Sequence, residues 1–167
     1  MLSGCSETKT SNAKPNTSRQ DTTMVETYVV ASPYKGRLLK AGKPVANQVL
    51  INELRWTGKN DPLVREITTD GSGFFEVAPY TVDLDLGVLD EFSGSSYLYL
   101  SEDSRVNGEE PDYIMVVSRR DGELGSEFGE DPLNMVCELT ADFESFEADR
   151  ALAGGKCRWD NMMQKEW

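Results

Sequence analysis

The chain has 167 residues, 38% hydrophobic and 28% charged, with a formal charge of −12, which fits one packed domain and excludes two of ordinary size. No apolar run approaches the ~18 residues that span a bilayer, and the acidic charge repels nucleic acid and anionic lipid headgroups. There is no histidine, so the usual general base, the usual zinc ligand and every Ser-His-Asp or Cys-His arrangement are missing. Most hydrolytic mechanisms are excluded on that ground, and no enzyme activity, cofactor or metal site is expected.

The amino-terminal Met1-Leu-Ser-Gly-Cys5 resembles the tail of a bacterial lipoprotein signal, in which small residues precede a cysteine that becomes acylated. That resemblance implies lipid attachment at Cys5, with residues 1–5 the remnant of a signal whose basic and apolar regions are missing. Ser6 in the next position, rather than an aspartate, implies the outer membrane and hence a periplasmic address. Residues 6–23 contain no aromatic and no aliphatic larger than Ala13, so they cannot bury enough surface to offset their ordering entropy. Residues 6–24 are expected to be a disordered tether with a reach of about 25 Å. Lys9, Lys14 and Arg19 outnumber Glu7 and Asp21 there, so the negative charge belongs to the folded part, expected over residues 25–160 with a tail over 161–167.

Val25, Tyr28, Val29 and Val30 predict a first strand over 26–32, interrupted at Pro33 as at a sheet edge. Segments 34–41 and 48–56, joined across Gly42-Lys-Pro44, predict a central hairpin. After a turn at Gly58–Pro62, strands are expected over 63–69 and 74–79, joined by an Asp70-Gly-Ser-Gly73 hairpin turn. That turn lacks the alternating acids and terminal glutamate of a calcium loop. Segment 81–96 alternates Val82, Leu84, Leu86 and Val88 but is rich in Asp and Gly; it fits a half-buried strand or a loop over one end of the fold. Tyr97–Leu100 reads as a strand, Tyr113–Val117 as the deepest strand of the core, and Leu133–Leu139 as the last long strand. Residues 140–153, with early acids, Phe143 and Phe146 three apart and Gly154-Gly155 behind them, predict a short helix with a glycine stop.

Gly36-x-Leu38, Gly42-Lys-Pro-Val45 and Thr69-Asp-x-x-Gly73-x-Phe75 resemble transthyretin-like, carboxypeptidase-regulatory-like modules. The resemblance implies an all-β, single β-sandwich of about seven or eight strands, to which the C-terminal helix is added. Together with Arg119-Arg-Asp-Gly-Glu-Leu-Gly125, Pro132–Leu139 and Gly155-Lys-Cys-Arg-Trp159, these motifs also resemble a family of small Gram-negative lipoproteins with no accepted catalytic residues. With Cys5 given to lipid, Cys137 and Cys157 remain as an even pair in an oxidising compartment and are expected to form a disulfide.

Glu76, Asp83, Asp85, Asp90, Glu91, Glu102, Asp103, Glu109, Glu110 and Asp112 face a single base, Arg105, over residues 76–112. Such a surface either steers a basic protein partner or is a solvated acidic face. Paired acids, Asp83 with Asp85 or Glu109 with Glu110, are the one remaining route to acid–base chemistry. Arg119 and Arg120 either bind carboxylates of a partner or neutralise nearby acids. Trp56, beside the Gly58 turn, is either a partner anchor or a core residue closing one end of the sandwich. The expected function is a non-enzymatic periplasmic lipoprotein that binds a protein, in the setting of immunity proteins against effectors of contact-dependent, type VI-like secretion. The alternative is a structural envelope lipoprotein docked on a secretion or transport assembly.

Overall fold

The computed structural model describes residues 24–101, 111–125, 127–128, 134–148 and 151–160. The expectations for Cys5, for all but the last residue of the tether, for Glu109 with Glu110 and for the tail over 161–167 lie outside the described residues. The described part is all-β, and none of its segments is a helix long and apolar enough to cross a membrane. The strands are β1 (Glu26–Ala31), β2 (Tyr34–Lys40), β3 (Lys43–Pro44), β4 (Val49–Trp56), β5 (Leu63–Thr68), β6 (Phe74–Val77) and β7 (Tyr80–Leu84). They are followed by β8 (Gly94–Leu100), β9 (Tyr113–Arg119), β10 (Met135–Glu138), β11 (Glu144–Ala148), β12 (Ala151–Gly155) and β13 (Cys157–Arg158).

The larger sheet runs β11-β12-β9-β8-β4-β5, and the smaller runs β13-β10-β2, with β3 and β6 both pairing β2. The two sheets pack as a sandwich around Leu38, Leu50, Phe75, Leu98, Ile114, Met115 and Met135, each no more than 1% exposed. Period-two alternation places these residues inward while Arg37, Phe74, Glu76 and Val136 point out. Strand β9 is deep in the core as its apolar run predicts. Leu98 opposes Met115 and Tyr99 opposes Tyr113, so Ile114 is the extra residue of a bulge and is buried together with Met115.

Strands β2 and β4 do not form the expected central hairpin. Only the short β3 returns along β2, pairing Leu39 with Pro44 and Lys40 with Lys43, after which the chain crosses to the other sheet. Asp70-Gly-Ser-Gly73 is likewise an arch from β5 in one sheet to β6 in the other, rather than a hairpin turn. The two crossings are bonded to each other. The Thr69 hydroxyl donates to Val45 O at 2.7 Å and accepts from Gln48 N at 2.9 Å, and Leu38 N donates to Gly73 O at 2.8 Å. Gly73 has φ 77°, and a Cβ there would lie 2.6 Å from Leu38 O, so only glycine fits. Asp70 closes the arch by accepting from Ser72 N, Ser72 Oγ and Phe74 N. The motifs that looked like turns of a sheet are thus the joint between two sheets.

The expected short helix over 140–153 is absent among the described residues, where that span forms β11 and β12. Phe143 and Phe146 are not two points on one helical face. Phe146 points into the core at 3% exposure, whereas the Phe143 ring lies over Gly154, where a Cβ would come 2.6 Å from it. Gly154 serves this close approach and Gly155 the approach of β9, where a Cβ would lie 2.5 Å from Ile114 O, instead of stopping a helix. Segment 81–96 divides: β7 ends at Leu84, and a loop carries the chain to β8.

Strands β1 and β7 pair with each other as a two-stranded ribbon, and they continue the β2–β6 ladder. Tyr34 opposes Val77, Ala31 opposes Tyr80, and the residues between them, Ser32-Pro33 and Ala78-Pro79, interrupt the ladder at the same level. Proline cannot donate to a ladder, so the backbone groups at this break need other partners. Arg65 Nη2 donates to Ala78 O at 2.9 Å and Nη1 to Pro79 O at 3.4 Å. On the other strand, Ser32 N donates to Glu127 Oε1 at 2.8 Å. Beyond the break the ribbon covers a second cluster, in which Val30, Leu54 and Phe92 pack with Tyr28, Trp56, Tyr80 and Val82.

Candidate functional site

Cys137 and Cys157 are cross-strand partners in β10 and β13 and are joined by the expected disulfide. Glu138, next in sequence, accepts from Ala41 N and Gly42 N at 2.8 Å each, and from Thr140 Oγ1 at 2.6 Å. These bonds, that from the Thr140 hydroxyl first, hold its carboxyl down to about 2. The Cys-Glu-Leu motif therefore pins β13 on one side and the β2–β3 turn on the other. Its role is architectural.

Arg119 and Arg120 part company. Arg119 ends β9 on the inward face shared by Met115 and Val117, and it is 1% exposed. Its Nη1 donates to Glu127 Oε2 at 3.0 Å, its Nη2 to Asp121 Oδ1 at 3.2 Å and its Nε to Asp121 O at 3.1 Å. Ser32 Oγ also donates to Glu127 at 2.7 Å and accepts from Gly125 N at 2.7 Å. Of the two readings open for Arg119, its surroundings match the neutralisation of nearby acids: its guanidinium balances Asp121 and the Glu127 carboxylate that caps Ser32. Arg120 is exposed. The period of the strand, carried two residues past Val117, was the available signal that separates the two.

Trp56 is half-buried in the second cluster, with its ring 5.5 Å from that of Tyr80 and Lys59 Nζ 5.5 Å from its ring centroid. It closes that end of the fold. Asp83 is exposed and accepts from Thr27 Oγ1 at 2.6 Å. No group of three or more metal-ligating side chains occurs among the described residues.

Two surfaces carry the features that a binding site needs. The first is the loop after β7, where Gly87-Val-Leu-Asp90 makes a turn: Asp90 N donates to Gly87 O at 2.9 Å, and Gly87 N donates to Asp90 Oδ2 at 3.1 Å. The turn presents Val88 and Leu89 at 104% and 94% exposure, with Asp83 and Asp85 before it and Asp90 and Glu91 after it in sequence. Behind it the loop is anchored. Phe92 is buried and stacks on Tyr28 at 4.8 Å, and Ser93 N donates to Thr57 Oγ1 at 2.9 Å. Two aliphatics held in water on a tied turn are not an accident of a frayed chain.

The second is a groove of about 240 Å³ on the outer face of the smaller sheet, lined by Gly36, Arg37, Phe74, Asn134, Met135 and Val136. Register places Arg158, Val136, Arg37 and Phe74 in one row across four strands. Phe74 and Val136 are 36% and 45% exposed. Arg158 is held by Glu144 at 2.6 Å and Lys35 by Glu76 at 3.2 Å. The exposed Arg37 makes no close hydrogen bond or ion pair among the described residues, and its charge reaches Asp70, where it adds to the hydrogen bonds that hold that carboxyl below its ordinary value. Sequence reasoning passed over this row because alternation alone does not say which face of an outer strand is left uncovered, and over Val88 and Leu89 because the apolar pattern of β7 runs on past its end at Leu84.

A family model described as a domain of unknown function, DUF6795, matches residues 34–142. No curated protein and no solved structure gives a match.

Proposed function

The chain belongs to the DUF6795 family, a domain of unknown function, and on that premise we propose that it is a non-enzymatic protein-binding module whose Val88–Leu89 turn inserts into a basic-rimmed apolar pocket of its partner. The observation that carries this reading is the full exposure of both side chains on a turn tied down at each end. Burying two aliphatics supplies affinity, and the four exposed acids next to the turn in sequence select a cationic rim and steer its approach. A sheet sandwich supplies a rigid base, so the turn is presented without an ordering cost.

The Cys137–Cys157 bond supports an oxidising address, and the lipoprotein-like start supports tethering at Cys5 to the periplasmic side of the outer membrane. In that setting the reading becomes an immunity protein that plugs a delivered effector, carried on a transthyretin-like sandwich as the Gly36–Val77 motifs imply.

The test is retention of partners from envelope and supernatant extracts of the protein's own source on the immobilised protein, beside its Val88→Asp and Leu89→Asp variants. The reading expects one stoichiometric binder that both variants lose and a Trp56→Phe variant keeps. A binder retained equally by all of them refutes the role of the turn. Recovery of several membrane-assembly components instead favours the structural envelope reading.

A further inference from the structure

We propose that the groove on the smaller sheet receives the Val88–Leu89 turn of a second copy of this chain, so that the protein associates head to tail. The two surfaces are complementary in both apolar and charged character. The turn offers two uncovered aliphatics followed by Asp90 and Glu91, with Asp83 and Asp85 beside them. The groove offers Phe74 and Val136 on either side of Arg37, in a row ending at Arg158, and Asn134 adds a further polar group to the lining.

A chain of formal charge −12 that sets an exposed arginine without an ion-pair partner among the described residues between two half-exposed hydrophobes selects an anionic, apolar occupant. Its own turn has that chemistry. The occupant comes from another molecule, because the turn leaves the end of β7 while the groove lies along β6. Their separation is the length of the ribbon, at roughly 3.3 Å per residue.

Turn and groove are different patches, so the contact is heterologous and leaves one turn and one groove open at the ends of each pair. The patch is small, and the association belongs to the weak class, seen at protein concentrations of ~0.1–1 mM. The inference does not rest on the partner reading above and needs no partner. If both hold, a neighbouring copy and a partner compete for one turn.

Sedimentation velocity of the full chain from ~10 μM to ~1 mM tests it, with Leu89→Asp and Arg37→Glu as variants at exposed positions and circular dichroism as the check that each folds. The weight-average mass of the wild type is expected to rise with concentration, and each variant alone to associate at least about tenfold more weakly. An equimolar mixture of the two variants is the decisive arm. Arg37→Glu keeps an intact turn and Leu89→Asp an intact groove, so together they form one productive contact and stop at the dimer. A wild type that stays monomeric at ~1 mM overturns the proposal, as does a mixture that fails to pair or that grows beyond the dimer.

Discussion

Replacing Glu127 with alanine removes the acceptor for Ser32 N and Oγ and a counter-charge of Arg119. The Arg119 side chain is 0% exposed and that of Glu127 is 3% exposed, so neither loss is repaired by water from the surface. Breaking a buried pair by deleting one member costs about 3–5 kcal/mol, and an orphaned backbone donor at Ser32 adds about 1–3 kcal/mol. Asp121, 3.2 Å from Nη2, still faces the arginine and reduces the first of these. A net loss of about 4 kcal/mol is expected, which at a urea m-value of about 2 kcal/mol/M moves the midpoint down by about 2 M.

The assay is urea unfolding followed by tryptophan fluorescence, with Glu127→Leu, Arg119→Met and Arg119→Met/Glu127→Leu measured beside it to close the cycle. The double variant replaces the pair by apolar groups of similar volume, and it is expected to be more stable than either single loss implies by addition. Strict additivity, or a loss below about 1 kcal/mol for Glu127→Ala, would refute the account of this network and return Arg119 to the set of groups available to a partner.

Three further expectations follow from the same structure. The Tyr34 hydroxyl is buried without a hydrogen-bond partner among the described residues, so Tyr34→Phe is expected to be neutral or stabilising by up to about 1 kcal/mol in thermal unfolding. Burial pushes this phenol above its ordinary value of 10.0. Its contribution is whole below that value and is lost as the unfolded chain ionises above it, so Tyr34→Phe flattens the alkaline limb of a stability–pH curve. Glu138, held down to about 2 from an ordinary 4.5, works in the opposite sense: the stability gap between wild type and Glu138→Gln is full above about pH 4.5 and closes as pH falls towards 2. Finally, Cys137→Ala/Cys157→Ala opens a loop with a sequence separation of 20 residues and is expected to cost about 3 kcal/mol in urea unfolding, and a smaller change would mean that the unfolded chain keeps β10 and β13 together.

The local chemistry of the chain was legible and its pairing was not. Pro33, Gly42, Gly58, Gly73 and the Phe74–Val77 alternation mark where strands stop and start, because proline and glycine act on the backbone at their own positions. Which strands then meet is decided over long separations. Strand β2 lies parallel to β10, with Leu38 opposite Cys137, and nothing in residues 34–56 announces that partner. A hairpin between β2 and β4 was the nearest reading in sequence, and the Thr69 hydroxyl, which ties both crossings together, is an ordinary threonine until the two sheets are seen. The same holds for the stretch from Phe143 through β11 and β12. Its phenylalanine spacing fits a helix, but its partner β9 supplies an open edge that a strand satisfies and a helix does not. For the candidate site, the acidic stretch was visible, whereas the two aliphatics that give it a point of contact were hidden among other alternating residues.

The paired break at Pro33 and Pro79 has a mechanical consequence. Force applied at residue 24 enters through β1, whose one strand partner among the described residues is β7, and it peels that ribbon from Glu26 towards Ala31, breaking on the way the bond from Val29 N to Gly122 O. Peeling stops where the ladder is interrupted, since Ser32 is fastened to Glu127 and Gly125 instead of to the next rung. The ribbon acts as a fuse in series with the sandwich: traction would undo the segment that carries the Val88–Leu89 turn while leaving the two sheets and their disulfide intact.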